Sequence, residues 1–231
     1  MELNFNKAFE ILGPSLLGGI GIVVYITLIG FALALVVALL LAVGRISKNK
    51  VLNRILSLFI ELIRGTPLLV QFFYIYYVIP MLLNGVVSLV GIDSNIQFKP
   101  ATCGIIGFAI NYGCYMSEVI RAAIMAIDHG QREAGLALGF SERQVLFWFI
   151  IPPAIRNSVP VFGNYLVMMI KDTSLLSMIS VQELLLRTKT FASQTFMTVE
   201  AYTILAVFYL VISIPLSQLS KIVERKLKQV G

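Results

Sequence analysis

Long apolar runs constrain this chain more than any other feature. One follows Pro14 and Ser15 and continues to Val43. Others cover Leu68 to Pro80, Ala101 to Ile127, a stretch from Ala154 past Met169, and Val199 to Ser217. Runs approaching 20 apolar residues match the roughly 30 Å hydrocarbon thickness of a bilayer when wound as helices. Lipid offers no partner to backbone N–H and C=O groups, so a helix, which bonds its own backbone, is favoured over an open sheet. Of the 231 residues, 58% are hydrophobic and 13% charged. The expectation is an all-α membrane protein with five transmembrane helices and a single transmembrane domain over residues 1–231.

The net charge of +6 raises the question of nucleic acid. The distribution of charge answers it, because basic residues gather beside apolar runs, as the positive-inside rule requires. With the N-terminus outside, Arg45, Lys48, Lys50, Arg54, Arg121, Arg132, Arg143, Lys221, Arg225, Lys226 and Lys228 fall inside, against Lys7, Lys99, Lys171, Arg187 and Lys189 outside. The C-terminus is then inside. An odd number of spans excludes a complete inverted repeat. The start, MELNFNKAFE, lacks a basic n-region and a small-residue cleavage site, so no cleavable signal peptide is expected. Cys103 and Cys114 are 11 residues apart on one apolar run, about 16 Å along a helix, too far for an internal disulfide. His129 is the sole histidine, and no metal site is expected.

The links carry further expectations. Residues 1–13 form a short amphipathic lead. Pro67 constrains Thr66 and breaks the segment that begins at Val51. Val51–Arg64 is therefore an entry helix at the inner interface or a protein-covered part of the span, with Glu61 and Arg64 spaced to pair. Asn84–Pro100 reads as a loop and Glu183–Gln194 as a polar link.

The longest patterned polar interruption is Gly130–Pro153, GQREAGLALGFSERQVLFWFIIPP. Polar and apolar residues alternate there as on two short amphipathic helices, hinged at Gly139-Phe140, with Ser141 as N-cap of the second. Such a pattern suits a docking element on the inner side.

Specific motifs then identify a relationship. Glu133-Ala134-Gly135, Gly139 six positions after the glutamate, and Ile151-Pro152 resemble the EAA loop of ABC importer permeases. Gly135, Phe149 and Ile151 depart from that pattern by small or apolar exchanges. Arg64-Gly65-Thr66-Pro67-Leu68-Leu69-Val70-Gln71, Tyr115–Arg121 and Lys171-Asp172-Thr173-Ser174-Leu175 are similar to segments of the polar amino acid permeases of histidine, arginine and glutamine type. The resemblance implies a type I ABC importer-like fold in a bacterial or archaeal cell (inner) membrane. It also implies a second permease copy, the same chain or a close relative, with a homodimer favoured over a heterodimer, a cytoplasmic ABC ATPase and an extracytoplasmic amino acid-binding protein. The sequence contains no G-x-x-x-x-G-K-[ST] phosphate loop. No cofactor and no enzymatic activity are expected in this chain, and ATP and Mg belong to the partner ATPase. A stand-alone secondary transporter or channel is the competing class, and it has no use for an EAA loop.

On this reading Gln131, Glu133, Ala134, Leu138, Gly139 and Phe140 couple to the ATPase. Leu136, Leu138 and Phe140 would enter a cleft on the motor, and Glu133 would meet a base. Substrate would meet the polar groups inside apolar segments, which are functional candidates by default: Gln71, Tyr74, Glu118, Asp172, Thr173 and Ser174. Asp172 or Glu118 would receive a cationic group, Thr173 or Ser174 a carboxylate, and Tyr74 an aliphatic stem or a guanidinium. Three acids near the path (Glu118, Asp172, Glu200) favour a basic amino acid such as arginine, lysine or histidine, with another polar solute such as glutamine as the alternative. Bland roles compete for each acid. Glu118 and Arg121 are spaced to neutralise each other, Asp172 can cap a helix end, and Glu200 can sit solvated at a helix start.

Overall fold

The computed structural model describes residues 3–47 and 49–229, with side chains given as far as residue 226; Met1, Glu2 and Lys48, and the side chain of Lys228, lie outside that description. Among the described residues every regular element is a helix. They are α1 (Phe5–Arg45), α2 (Lys50–Arg64), α3 (Leu68–Leu89), α4 (Pro100–Met125), α5 (His129–Ala137), α6 (Glu142–Ile179), α7 (Leu184–Thr195) and α8 (Thr198–Gln229). Five of these, α1, α3, α4, α6 and α8, are long and apolar enough to cross a membrane.

Helix α4 is the most buried of the five and forms the centre of the bundle. Small residues on α1 let the two backbones approach. Gly30, Ala34, Ala38 and Ala42 recur every fourth position and are all buried. A Cβ on Gly113 of α4 would lie 2.6 Å from Val37 and 3.3 Å from the Ala34 carbonyl. Packing through small residues is how helices associate where lipid removes the hydrophobic drive. Around this seam Phe72 of α3, Phe108 and Met116 of α4, and Met169 and Leu176 of α6 form the main core. A second core joins Leu12, Leu16 and Val23 of α1 to Leu184 and Phe191 of α7 and to Ala201 and Leu205 of α8.

The helices are longer than their apolar runs. Pro14 lies inside α1 and does not begin it. The helix starts at Asn4, whose side chain accepts from the Lys7 N–H at 3.0 Å, and Ala8, Leu12 and Leu16 are buried in the second core. That burial outweighs the roughly 3 kcal/mol cost of an internal proline. Helix α3 likewise passes Pro80 and ends at Leu89. Its turn Tyr74–Val78 is a π turn, and Ile79 N–H reaches back to the Tyr74 carbonyl. The wider turn accommodates the proline ring and its missing donor. A second π turn, Val145–Ile150, stands just before Pro152 and Pro153. Helix α6 thus begins at Glu142, well before Ala154. The loop expected from Asn84 is confined to residues 90–99. Asn84 itself holds that link, accepting from Ile96 N–H at 2.8 Å and Ser94 Oγ at 2.9 Å and donating to the Ile96 carbonyl at 3.0 Å.

The polar link after α6 is helix α7. Its buried face, Leu184, Thr188, Phe191 and Ala192, has helical spacing. Glu183, fully buried, caps it by accepting from Leu185 N–H and Leu186 N–H, each at 2.8 Å, and from the Tyr209 hydroxyl at 3.1 Å. Burial pushes this carboxyl above its ordinary value, while the hydrogen bonds and Lys189 draw it back. Glu200 is also buried, accepting the Asn4 N–H at 3.0 Å, and is not the solvated helix start expected from sequence. Arg64 forms no ion pair with Glu61 among the described residues. Glu183→Ala should lower the stability of the detergent-solubilised protein by about 1–3 kcal/mol through loss of the cap and of the Tyr209 partner. Glu183→Gln, which keeps a carbonyl acceptor, should lose less. Equal thermal midpoints for wild type and the alanine variant would contradict this account of α7.

Candidate functional site: an intramembrane cleft and an exposed polar hinge

The break between α2 and α3 is built by four residues. Gly65 N–H closes α2 on the Glu61 carbonyl at 2.8 Å. A Cβ there would stand 2.9 Å from that same carbonyl oxygen, so glycine is required for contact and not for a special φ. Pro67 holds Thr66 out of the helical region and starts α3. Gln71, one turn into α3, then donates to the Ile63 carbonyl at 2.7 Å and the Thr66 carbonyl at 3.1 Å, and accepts from Asn111 of α4 at 3.1 Å. Gln71 therefore braces the break.

Beside the break lies a cleft of about 450 Å³, bounded by residues 64–68, by Asn111, Tyr112 and Tyr115 of α4, and by Tyr165, Met168 and Asp172 of α6. Tyr112 follows Pro100 by 12 residues and precedes Met125 by 13, so it sits about 18–20 Å from either end of α4, near mid-depth. Its hydroxyl donates to Asp172 at 2.6 Å, which fixes the end of the α-helical part of α6 at the same depth. Lys171, exposed beside Asp172, therefore lies far from the outer surface to which sequence reading assigned it. The three tyrosines pack edge-on or tilted, Tyr112 on Tyr165 at 5.8 Å and Tyr115 on Tyr165 at 6.3 Å. Arg64 stacks over Tyr115 at 5.1 Å, and the Tyr115 hydroxyl donates to the Arg64 carbonyl at 3.3 Å.

Of the candidate substrate residues, the cleft contains Asp172, with Gln71 behind its wall. Tyr74 is 58% exposed on the π turn and does not line the cleft. Thr173 is buried and spends its hydroxyl on the Ile170 carbonyl at 2.6 Å. Ser174 is half-buried in the 3₁₀ turn that follows, outside the cleft lining. Glu118 accepts from Arg121 at 2.9 and 3.0 Å and from Arg45 Nη1, tying α4 to the end of α1. That is the neutralised arrangement its spacing allowed. Sequence reasoning did not select Arg64, Asn111, Tyr112, Tyr115 or Tyr165. Two signals were available: Arg64 had no assigned side of the membrane, and Tyr112 and Tyr115 are three apart on α4.

The first helix, the hinge and the cap of the Gly130–Pro153 stretch form as its pattern implies, but the second helix is not short: it is the beginning of α6 and continues to Ile179. Asp128 caps α5, accepting from Gly130 N–H at 2.7 Å. Gly139 has φ +85°, and Phe140 N–H returns to the Gly135 carbonyl at 3.2 Å, closing the helix end. Ser141 and Gln144 form a capping box at the start of α6. A Cβ on Gly135 would meet Val145 at 2.9 Å, which gives a packing reason for glycine where the motif has alanine. Gln131, Glu133, Ala134, Leu136 and Leu138 are exposed, Leu138 to 75%. Phe140 is half-buried and packs on its own chain, 5.1 Å from Phe149 and 6.0 Å from Trp148.

Comparison with known proteins places this geometry. The profile of the family described as binding-protein-dependent transport system inner membrane component matches residues 30–229. The glutamine transport system permease protein GlnP of Escherichia coli (strain K12) is 36% identical over 215 residues, 93% of this chain and 94% of that protein. The L-cystine transport system permease protein TcyB of Bacillus subtilis (strain 168) is 36% identical over 215 residues, 93% of this chain and 87% of its own. A chain of an amino acid ABC transporter solved with histidines superposes with a TM-score of 0.83 at 30% identity, covering 98% of this chain and 100% of that one. The methionine transporter MetNI superposes at 0.62 with 17% identity, a likeness of fold alone. The chain belongs to the binding-protein-dependent transport system inner membrane components, and it is the permease subunit of an amino acid ABC importer, with ATP hydrolysis assigned by that family to a separate subunit.

Proposed function

We propose that this chain forms the path by which a polar amino acid crosses the membrane, and that the substrate rests in the cleft between α2, α3, α4 and α6. The observation that carries this reading is Asp172, an acid at mid-depth that lines a cleft of about 450 Å³ and has, among the described residues, one hydrogen-bond donor, Tyr112. A carboxylate has capacity for more, and a free ammonium group supplies a charge-assisted donor. Of the three acids that favoured a basic substrate, Asp172 alone lines the cleft. Glu118 holds two arginines and Glu200 holds the chain start. Glutamine and L-cystine are named for two relatives, and both present the same ammonium and carboxylate.

In the same reading residues 130–153 dock a cytoplasmic ATPase that carries ATP and Mg. The exposed side chains of Gln131, Glu133, Ala134 and Leu138 offer the contact, and Gly139 sets the bend. Phe140, half-buried against Phe149 and Trp148, supports the bend from within the chain and leaves its remaining surface to the motor. The basic residues beside the spans support an N-terminus outside and a C-terminus inside. A second copy of the permease and an extracytoplasmic binding protein complete the importer.

Two variants test the reading in proteoliposomes containing the ATPase and the delivery protein. Asp172→Asn should assemble normally and lose tenfold or more of amino acid uptake; unchanged uptake removes Asp172 from the site. Gly139→Asp places a side chain at φ +85°, at a cost of roughly 1–2 kcal/mol, and adds a charge beside the exposed face. It should retain insertion yet uncouple ATP hydrolysis from transport, and normal coupled transport in it would contradict the docking role.

A further inference from the structure

The cleft carries two opposite charges that do not satisfy each other. Arg64 and Asp172 both line it, yet they form no ion pair, and Arg64 forms none with any described residue. Arg64 is exposed, its guanidinium stacked over the Tyr115 ring at 5.1 Å. Stacking on a ring face leaves the planar edge, with its fork of N–H donors, free for a carboxylate. Asp172 has only the Tyr112 hydroxyl at 2.6 Å among the described residues. Neither charge has an ion-pair partner among the described residues, and Lys171, next to Asp172 in the chain, is exposed and outside the cleft lining; charge at this depth is expensive, and each group lowers its cost by binding the opposite charge.

We infer that the cleft is a receptor for a zwitterion, in which Arg64 receives the α-carboxylate and Asp172 the α-ammonium, and that the amino acid carried is neutral in its side chain. This rests on the reading of the cleft as the substrate site. The charges of the lining cancel against those of the backbone of a free amino acid, so a further full charge on the substrate side chain would be left without a partner. Tyr165 and Met168 remain as neutral surface for that side chain, with Asn111, whose amide N–H goes to Gln71, in the wall behind them. The nearby acid Glu118 is committed to Arg45 and Arg121 and is not available to a lysine or arginine side chain. Arg64 is thereby a specificity-determining residue, and the length of its reach sets where the substrate carboxylate lies.

The test uses the permease–ATPase complex in lipid nanodiscs without the delivery protein, so that selection is by this chain. Equilibrium binding is measured for radiolabelled glutamine, asparagine, serine, lysine and glutamate, and for the decarboxylated amine of whichever binds tightest. In the wild-type complex a neutral amino acid should bind at least tenfold tighter than lysine or glutamate, and at least tenfold tighter than its own amine, the range expected for a charge-assisted pair. Arg64→Gln should weaken the amino acid by tenfold or more and leave the amine unchanged. Lysine binding as tightly as the best neutral amino acid would overturn the inference. So would equal loss of amino acid and amine in Arg64→Gln, or equal binding of the two by wild type, a comparison that needs no variant. Failure of the underlying reading has a different signature: no amino acid binds, or Asp172→Asn binds all of them as wild type does.

Discussion

A helix that breaks inside lipid leaves carbonyl groups with no water to take over, and the chain must supply replacements itself. The break at Gly65–Pro67 is where this protein meets that constraint. Gln71 closes it with two carbonyl contacts and a third bond to Asn111, and Thr66 returns its hydroxyl to the Leu62 carbonyl at 3.0 Å. Because the break is braced, Arg64 can project from it at mid-depth, and a cleft can exist where a continuous helix would have filled the space. The two π turns solve a milder form of the same problem, each making room for a proline downstream.

The rest of the bundle holds that cleft in place. The small-residue seam between α1 and α4 fixes α4, and α4 presents Asn111, Tyr112 and Tyr115 along one side. The Glu118 cluster locks the same helix to the end of α1 just below. Three residues beyond α4, α5 begins. The helix that carries most of the cleft's tyrosines is therefore joined to the exposed hinge by only the three residues 126–128.

Some of this was legible in the sequence, and the reasons are physical. The five spans follow from hydropathy, since lipid demands it. The Gly139 bend and the Ser141 cap follow from local chemistry that acts within four residues. That helices run through Pro14 and Pro80, and that one starts at Glu183, did not follow, because in each case tertiary burial or a π turn overrides a local signal. The site was half legible. Asp172 stands out as an acid in an apolar segment, but so do Glu118 and Glu200; spacing offered Arg121 to Glu118 as one reading, and the fold confirms it, adds Arg45 and gives Glu200 to Asn4. Tyr74 and Tyr112 are alike in sequence, and their opposite placements come from the face each presents. Arg64 was passed over because an arginine three residues after a glutamate and three before a proline looks like an interface pair.

The central claim is that the amino acid occupies the cleft at mid-depth. Cys103 and Cys114 are both buried and free, so a cysteine introduced in the cleft can be followed against a low background. Met168 lines the cleft and is 49% exposed, whereas Tyr74 is exposed outside it. The most direct measurement is the rate of thiol alkylation of Met168→Cys and Tyr74→Cys in the nanodisc complex, with and without the transported amino acid. The account predicts slower alkylation at position 168 and an unchanged rate at position 74. Equal rates at position 168 with and without the amino acid would contradict it.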